Sequence, residues 1–178
     1  MKIKLLFLGI LATLFSINAK AQKFGYVDTD YILGQMTEYK AAQKQLNELS
    51  QKWENELKTM KDEVDKMYKD YKSEEILLSP SQRKEREDQI VAKEDGMKKF
   101  EQQKFGVEGE LFLKRKELIK PIQDKVFAAI QKVAKNNGLD FIFDKSANMN
   151  ILFSNPKFDR SDDVLDELGV VPEEKNDK

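Results

Sequence analysis

The chain reads as an α+β protein, mostly α, in which a long antiparallel helical hairpin stands on a small β-containing body. Three observations predict this. From Glu38 to Leu78 there is neither Gly nor Pro, and apolar residues recur at helical spacing. Ser79-Pro80-Ser81-Gln82 then carries a helix-start signature, and a second charged stretch of similar length follows it. Runs rich in aromatic and branched residues occur only outside those two stretches, at Phe24–Val27, Leu139–Asp144 and Ile151–Phe153.

Taken in order, the chain begins Met1-Lys2-Ile3-Lys4, continues with an apolar run from Leu5 to Phe15, and reaches Ala19-Lys20-Ala21. A basic start, a short apolar core and a small-x-small site predict a secretory signal peptide over residues 1–21, cleaved near Ala21. The apolar run falls short of the roughly 20 residues that span a bilayer, so no stable membrane insertion is expected. No Cys stands at the cleavage site to take a lipid anchor. An exported, periplasmic product is the expectation.

The body is expected from 22–37 and 119–170. Phe24-Gly25-Tyr26-Val27 reads as a strand, and Asp28-Thr29-Asp30 as the cap of a short helix stopped near Gly34. Thr37 is a plausible cap for the first rod of the arm, which spans 38–118. In that rod Leu46, Leu49, Trp53, Leu57, Met60, Val64, Met67 and Tyr71 are separated by three or four residues, a mean step of about 3.6. One narrow apolar stripe on a charged rod is a coiled-coil pattern. At the turn, Ser79 is placed to cap the second rod while Gln82 reaches back, and Pro80 loses no helical hydrogen bond at the first position.

The second rod is expected from Pro80 to about Lys120. Ile90, Met97, Phe100, Val107, Leu111 and Leu118 fall on a heptad frame, with Glu94, Lys104 and Lys114 at intervening seam positions and Phe105 and Phe112 beside it. Gly96, Gly106 and Gly109 lie inside this expected helix, and each weakens it by up to about 1 kcal/mol relative to Ala. Together with Pro121, which should kink or restart the helix, they are the candidate hinges of a bending arm. Ile122, Val126, Ile130 and Val133 carry the helical period on to Asn136-Asn137-Gly138, a stop. Two strands should follow, Leu139–Asp144 and Ile151–Phe153, then a short helix capped by Ser161-Asp162-Asp163 and ended by Gly169. A polar, disordered tail is expected over 171–178.

Composition narrows function. Of 178 residues 31 are basic and 32 acidic, and removing Lys2, Lys4 and Lys20 with residues 1–21 leaves a net charge of about −4. That argues against nucleic acid, which needs a basic surface. With no Cys and no His, thiol chemistry, Ser-His triads and most zinc or copper sites are excluded. Acidic groups such as Asp62-Glu63-Asp65, Glu74-Glu75 and Glu85-Glu87-Asp88 are interleaved with Lys and Arg on rods, as solvated faces are. No Ca²⁺-loop spacing, P-loop or dinucleotide glycine pattern exists. Neither a catalytic site nor a cofactor is expected.

Three short strands make a marginal sheet, and a hairpin cannot bury much of its own stripe. Both deficits disappear if several copies pool their strands into a β-body from which the hairpins project, one per subunit, like tentacles. Phe24, Tyr26, Val27, Phe141, Ile142, Phe143, Ile151, Leu152 and Phe153 are the candidates for that shared body. On the arm, Trp53, Met60, Met67, Phe100, Phe105 and Phe112 either zip the rods together or face a partner that needs adaptable apolar contacts. Ile76-Leu77-Leu78 at the tip mark an exposed interaction site or a local cap packed on Ile90.

The order of these elements resembles the Skp/OmpH family of periplasmic chaperones. The matching pieces are Lys23-Phe24-Gly25-Tyr26-Val27-Asp28, the charged hairpin, Pro121-Ile122, Val133-Ala134-Lys135-Asn136-Asn137-Gly138-Leu139-Asp140 leading into Phe141-Ile142-Phe143-Asp144, and Asp162-Asp163-Val164-Leu165. The resemblance implies a homotrimer with three helical tentacles that holds unfolded outer-membrane β-barrel proteins in a central cavity without ATP. Better-known members are basic, and the acidic balance here departs from them, so contact with lipopolysaccharide or anionic membranes is not carried over. The competing expectation is a structural spacer or adaptor of the cell envelope, which calls for a stiff, uninterrupted seam.

Overall fold

The computed structural model describes residues 22–146 and 151–172; the expected signal peptide, residues 147–150 of the loop and residues 173–178 of the tail lie outside them. In chain order the elements are β1 (Phe24–Val27), α1 (Thr29–Gln35), α2 (Thr37–Glu74), α3 (Pro80–Phe105), α4 (Glu110–Asn137), β2 (Phe141–Asp144), a 3-10 turn (Pro156–Phe158) and α5 (Ser161–Leu168).

β1 and β2 pair in parallel, with Phe24 opposite Phe141, Gly25 opposite Ile142, Tyr26 opposite Phe143 and Val27 opposite Asp144. Because side chains alternate along a strand, Phe24, Tyr26, Phe141 and Phe143 share one face, and Gly25, Val27 and Ile142 share the other. The second face meets the core. The other side of β1 is lined by the chain before α5, where the Arg160 amide donates to the Tyr26 carbonyl at 2.9 Å. β2 pairs only with β1 among the described residues.

The caps fix where each body helix starts and stops. The Asp28 carboxylate accepts from the Tyr31 amide at 3.0 Å and opens α1, which runs through Gly34 to Gln35. Met36, buried, separates α1 from α2, so Thr37 is the first helical residue and not the cap. α4 ends at Gly138, whose φ of 61° only a residue without Cβ adopts freely, and the Leu139 amide closes back on the Ala134 carbonyl. For α5 the capping carboxylate is Asp159, which accepts from the Ser161 amide and hydroxyl; Ser161 is itself the first helical residue. Its hydroxyl oxygen accepts from the Asp28 amide, tying α5 to the end of β1.

The core sits where α1, the start of α2, the second half of α4 and α5 meet under the two strands. Val27, Ile32, Val164 and Leu165 are fully buried there. Each such side chain is worth about 1.5–3 kcal/mol over exposure. Asp144 closes β2 onto α1. Burial pushes its carboxyl pKa up, but hydrogen bonds from Thr29 and Ser146 outweigh burial and leave it below the usual value.

The arm follows the stripe. α2, 38 residues long, spans about 57 Å at 1.5 Å per residue. Its eight stripe residues from Leu46 to Tyr71 are all buried or half-buried. At the tip the expected capping box forms: the Ser79 hydroxyl accepts from the Gln82 amide, and the Gln82 side chain accepts from the Ser79 amide at 2.9 Å. The Glu74–Arg86, Tyr71–Glu87, Glu63–Lys93 and Trp53–Phe105 contacts then step along the rods in opposite directions, as antiparallel pairing requires.

Three expectations are corrected. The second rod is not one helix: it breaks between Phe105 and Glu110, so Gly106 and Gly109 cap the two pieces and are not helix-interior residues. The break is compact, with the Gly106 amide on the Gln102 carbonyl and the Gly109 amide on the Gly106 carbonyl. A Cβ on Gly106 would stand 2.3 Å from the Gln102 carbonyl oxygen, so this turn admits only glycine without moving. Of the two outcomes expected at Pro121, a kink or a restart, the restart does not occur, because α4 runs through it; and Gly96 alone of the three glycines lies inside a helix. Finally, Ile151–Phe153 is not a strand: among the described residues no strand pairs with it, and a strand without a ladder partner has nothing to hold it extended.

Candidate functional site

The residues singled out on the arm fall into three environments. Trp53 is buried in the seam, held edge-on to Phe105 with ring centroids 6.2 Å apart. Met60, Met67, Phe100 and Phe105 are half-buried along the same seam, and Leu78 is half-buried in the tip turn. Ile76 and Leu77 at the tip are 90% and 84% exposed, and Phe112 on α4 is about half exposed. The stripe thus joins the rods, while the tip and the flank of α4 present apolar side chains to water.

The tip is rigidly built. Besides the capping box, the Leu77 amide donates to the Glu74 carbonyl at 2.8 Å, and the Arg83 guanidinium donates to the Leu78 carbonyl at 3.1 Å. Those bonds hold a backbone whose two aliphatic side chains point away from any neighbour. Just below, the Tyr71 hydroxyl donates to the Glu87 carboxylate across the hairpin, and this hydrogen bond raises the phenol pKa to about 12.

At mid-arm one cation organises three helices. Lys104 Nζ lies 4.9 Å from the Trp53 ring centroid on α2 and 5.7 Å from that of Phe100 on α3, and it pairs with the Glu110 carboxylate on α4 at 2.6 Å. The remaining rod-to-rod and rod-surface ion pairs are exposed and of both signs in quick alternation, as in Glu63–Lys93 and Lys120–Asp124. Pairs of that kind contribute little to stability but keep the arm hydrated.

In the body, Val27 lies in the chain's own core, Tyr26 is buried on the opposite face of β1, and Ile142 and Ile151 are half-buried. Phe24, Phe141 and Phe143 form an open aromatic face, with Phe141 and Phe143 stacked at 6.5 Å and Phe24 packed on Phe158 at 5.1 Å. Leu152 and Phe153 beside the loop are almost wholly exposed.

Periodicity missed several exposed apolar residues on helices, Tyr68, Val91, Leu113 and Phe127, and it put on the seam Val107, which lies exposed in the break. Phe127 borders a groove of about 300 Å³ between α1 and α4, lined also by Leu33, Val126 and Ile130. Only its position off the buried frame of α4 could have singled it out. Among the described residues no helix is long and apolar enough to cross a membrane, and no group of three or more acidic residues is arranged to hold a metal ion.

Comparison with known proteins places this architecture. A crystal structure from Caulobacter crescentus CB15, of a chain described as an outer membrane chaperone (OmpH-like), superposes with a TM-score of 0.64. The match covers 90% of this chain and 95% of that one at 16% identity, and at such identity it speaks for the fold alone. No curated protein sequence matches the chain. The family model described as Outer membrane protein (OmpH-like) matches residues 23–168, which takes in β1, both rods, β2 and α5. By that match the chain belongs to the OmpH-like outer membrane protein family.

Proposed function

We propose that this protein is a periplasmic holding chaperone, which binds unfolded outer-membrane β-barrel proteins between helical arms without ATP and keeps them from aggregating. The observation that carries the reading is the placement of apolar side chains on the arm. Ile76 and Leu77 are displayed from a rigid tip, and Phe112 and Leu113 from α4, on rods otherwise covered with mixed charge. Scattered apolar contacts on a hydrated surface bind many sequences weakly, which is what a holder of non-native chains requires. Membership in the OmpH-like family supports a chaperone role.

In this reading copies of the chain associate through the open aromatic face, with Phe24, Phe141 and Phe143 meeting Leu152 and Phe153 of a neighbour, and three arms enclose the client. Several weak sites around one space raise the effective concentration of each. Met60, Met67, Phe100 and Phe105 add contacts where the seam is half-open; Trp53 would contact a client only if the rods part. Expulsion of residues 1–21 by signal cleavage precedes all of this.

The test is direct. Processed protein without nucleotide is mixed with a urea-unfolded β-barrel protein on dilution, and light scattering is followed. Suppressed scattering in wild type, weakened in an Ile76→Ser/Leu77→Ser variant of unchanged helicity, supports the proposal. No suppression by the wild type would sink it.

A further inference from the structure

The break in the return rod lies where the heptad pattern is intact. Ile90, Met97, Lys104, Leu111 and Leu118 are seven apart, with Phe100 and Val107 at the other seam position, so one frame crosses 106–109 without insertion or deletion. In a continuous helix Val107 would face α2. In the observed conformation it is fully exposed. Glu108 is held at φ 61°, a region unfavourable to a residue with a Cβ, although glycines stand two positions before it and one after. Between the Trp53–Phe105 contact and the Glu38–Lys125 ion pair, α2 uses about fifteen residues and the return rod about twenty, so the break takes up a surplus of about five.

The charges also fit two arrangements. Lys104 and Glu110 are six residues apart, and on a continuous helix they would lie ~120° apart around the axis and ~9 Å along it. Their 2.6 Å ion pair therefore exists only across the break. In an unbroken helix the same lysine would find Glu108 four residues on and Glu101 three residues back.

We infer that the return rod is a two-state element. In the observed state Lys104, seated on Trp53 and Phe100 and bound to Glu110, latches it broken. In the other state residues 106–109 join α3 and α4 into one helix and Val107 enters the seam. Gly106 and Gly109 hold the balance: they disfavour helix, and a Cβ on either would collide with backbone in the broken state, at 2.3 Å for Gly106 and 2.9 Å for Gly109. The switch is a property of the arm and does not depend on what the arm holds.

Because the chain has no Cys, Lys98→Cys and Lys116→Cys place spin labels uniquely on exposed sites either side of the break. Pulsed dipolar spectroscopy is then done on the processed full chain, diluted with unlabelled protein. A continuous helix sets the two Cα atoms ~27 Å apart, and the broken state sets them closer. The wild type should show mainly the short distance. Glu110→Gln and Lys104→Met, which remove charge and keep bulk, should transfer population to the long one. Gly106→Ala/Gly109→Ala should move nearly all of it there, with a gain in helical circular dichroism. The inference is overturned if Glu110→Gln and the double alanine variant both keep the short distance, or if alanine broadens the distribution with loss of helix signal.

Discussion

The body and the arm are made of the same residue types yet are held together in different ways. In the body, four elements converge on side chains with no exposure at all, Ile32, Val164 and Leu165 among them. Along the arm beyond Ala42 and Leu46, which join the body core, the buried apolar side chains among the described residues are Trp53, Val64, Tyr71 and Ile90; each keeps 6–7% exposure and is spaced from the next by a turn or more, with ion pairs and one tyrosine hydrogen bond between. A two-helix seam has one covered side, so no residue in it is surrounded as a core residue is. The difference teaches that global stability resides in the body, while the arm is a lightly fastened appendage free to yield locally.

Like-for-like truncation breaks or sharpens that contrast most strongly. Ile32→Ala in the body should lower unfolding free energy by about 4 kcal/mol, and Ile90→Ala in the arm by about 2 kcal/mol. Equal losses in urea denaturation would show that arm and body unfold as one unit and that the contrast is false. A smaller effect belongs to the tip: Ser79→Ala removes the capping box at a cost of about 1 kcal/mol. Hydrogen exchange should then quicken over Gln82 and Arg83 and leave α1 and α5 unchanged.

The smallest effect is alkaline. Tyr71 keeps its proton to about pH 12 in the folded arm, against 10.0 for an unperturbed phenol, because its hydroxyl is bonded to Glu87. Its contribution is therefore complete below pH 10 and is lost as pH rises toward 12. Arm helicity of wild type minus that of Tyr71→Phe should decline across that window. A flat difference would mean that the Tyr71–Glu87 bond does not fasten the rods.

What was legible in the sequence follows from range. The stripe from Leu46 to Tyr71, the Ser79 capping box and the Gly138 stop are each written within a few residues, and each formed where its local chemistry put it. The pairing of β1 with β2 was not legible, because its two halves are more than a hundred residues apart and nothing in either names the other. The break at Gly106–Gly109 hid behind an intact heptad: periodicity records which face a residue would take in a helix, not whether the helix is continuous. Phe127 escaped for a related reason, since an exposed aromatic interrupts no period. Ile151–Phe153 carries strand-forming residues, but a strand is made by its neighbour, and the described residues supply none.

The parallel ladder between β1 and β2 also sets a schedule. Phe24 cannot meet Phe141 until both rods have been synthesised and folded back, so the first strand is made early and waits longest for its mate. Closing so large a loop is entropically slow unless the intervening chain shortens it, and the hairpin, zipped from Ser79 by neighbouring turns, does so by bringing Met36 and Ile119 into one buried cluster. Assembly should thus run from the far end inward, with the hub completed last.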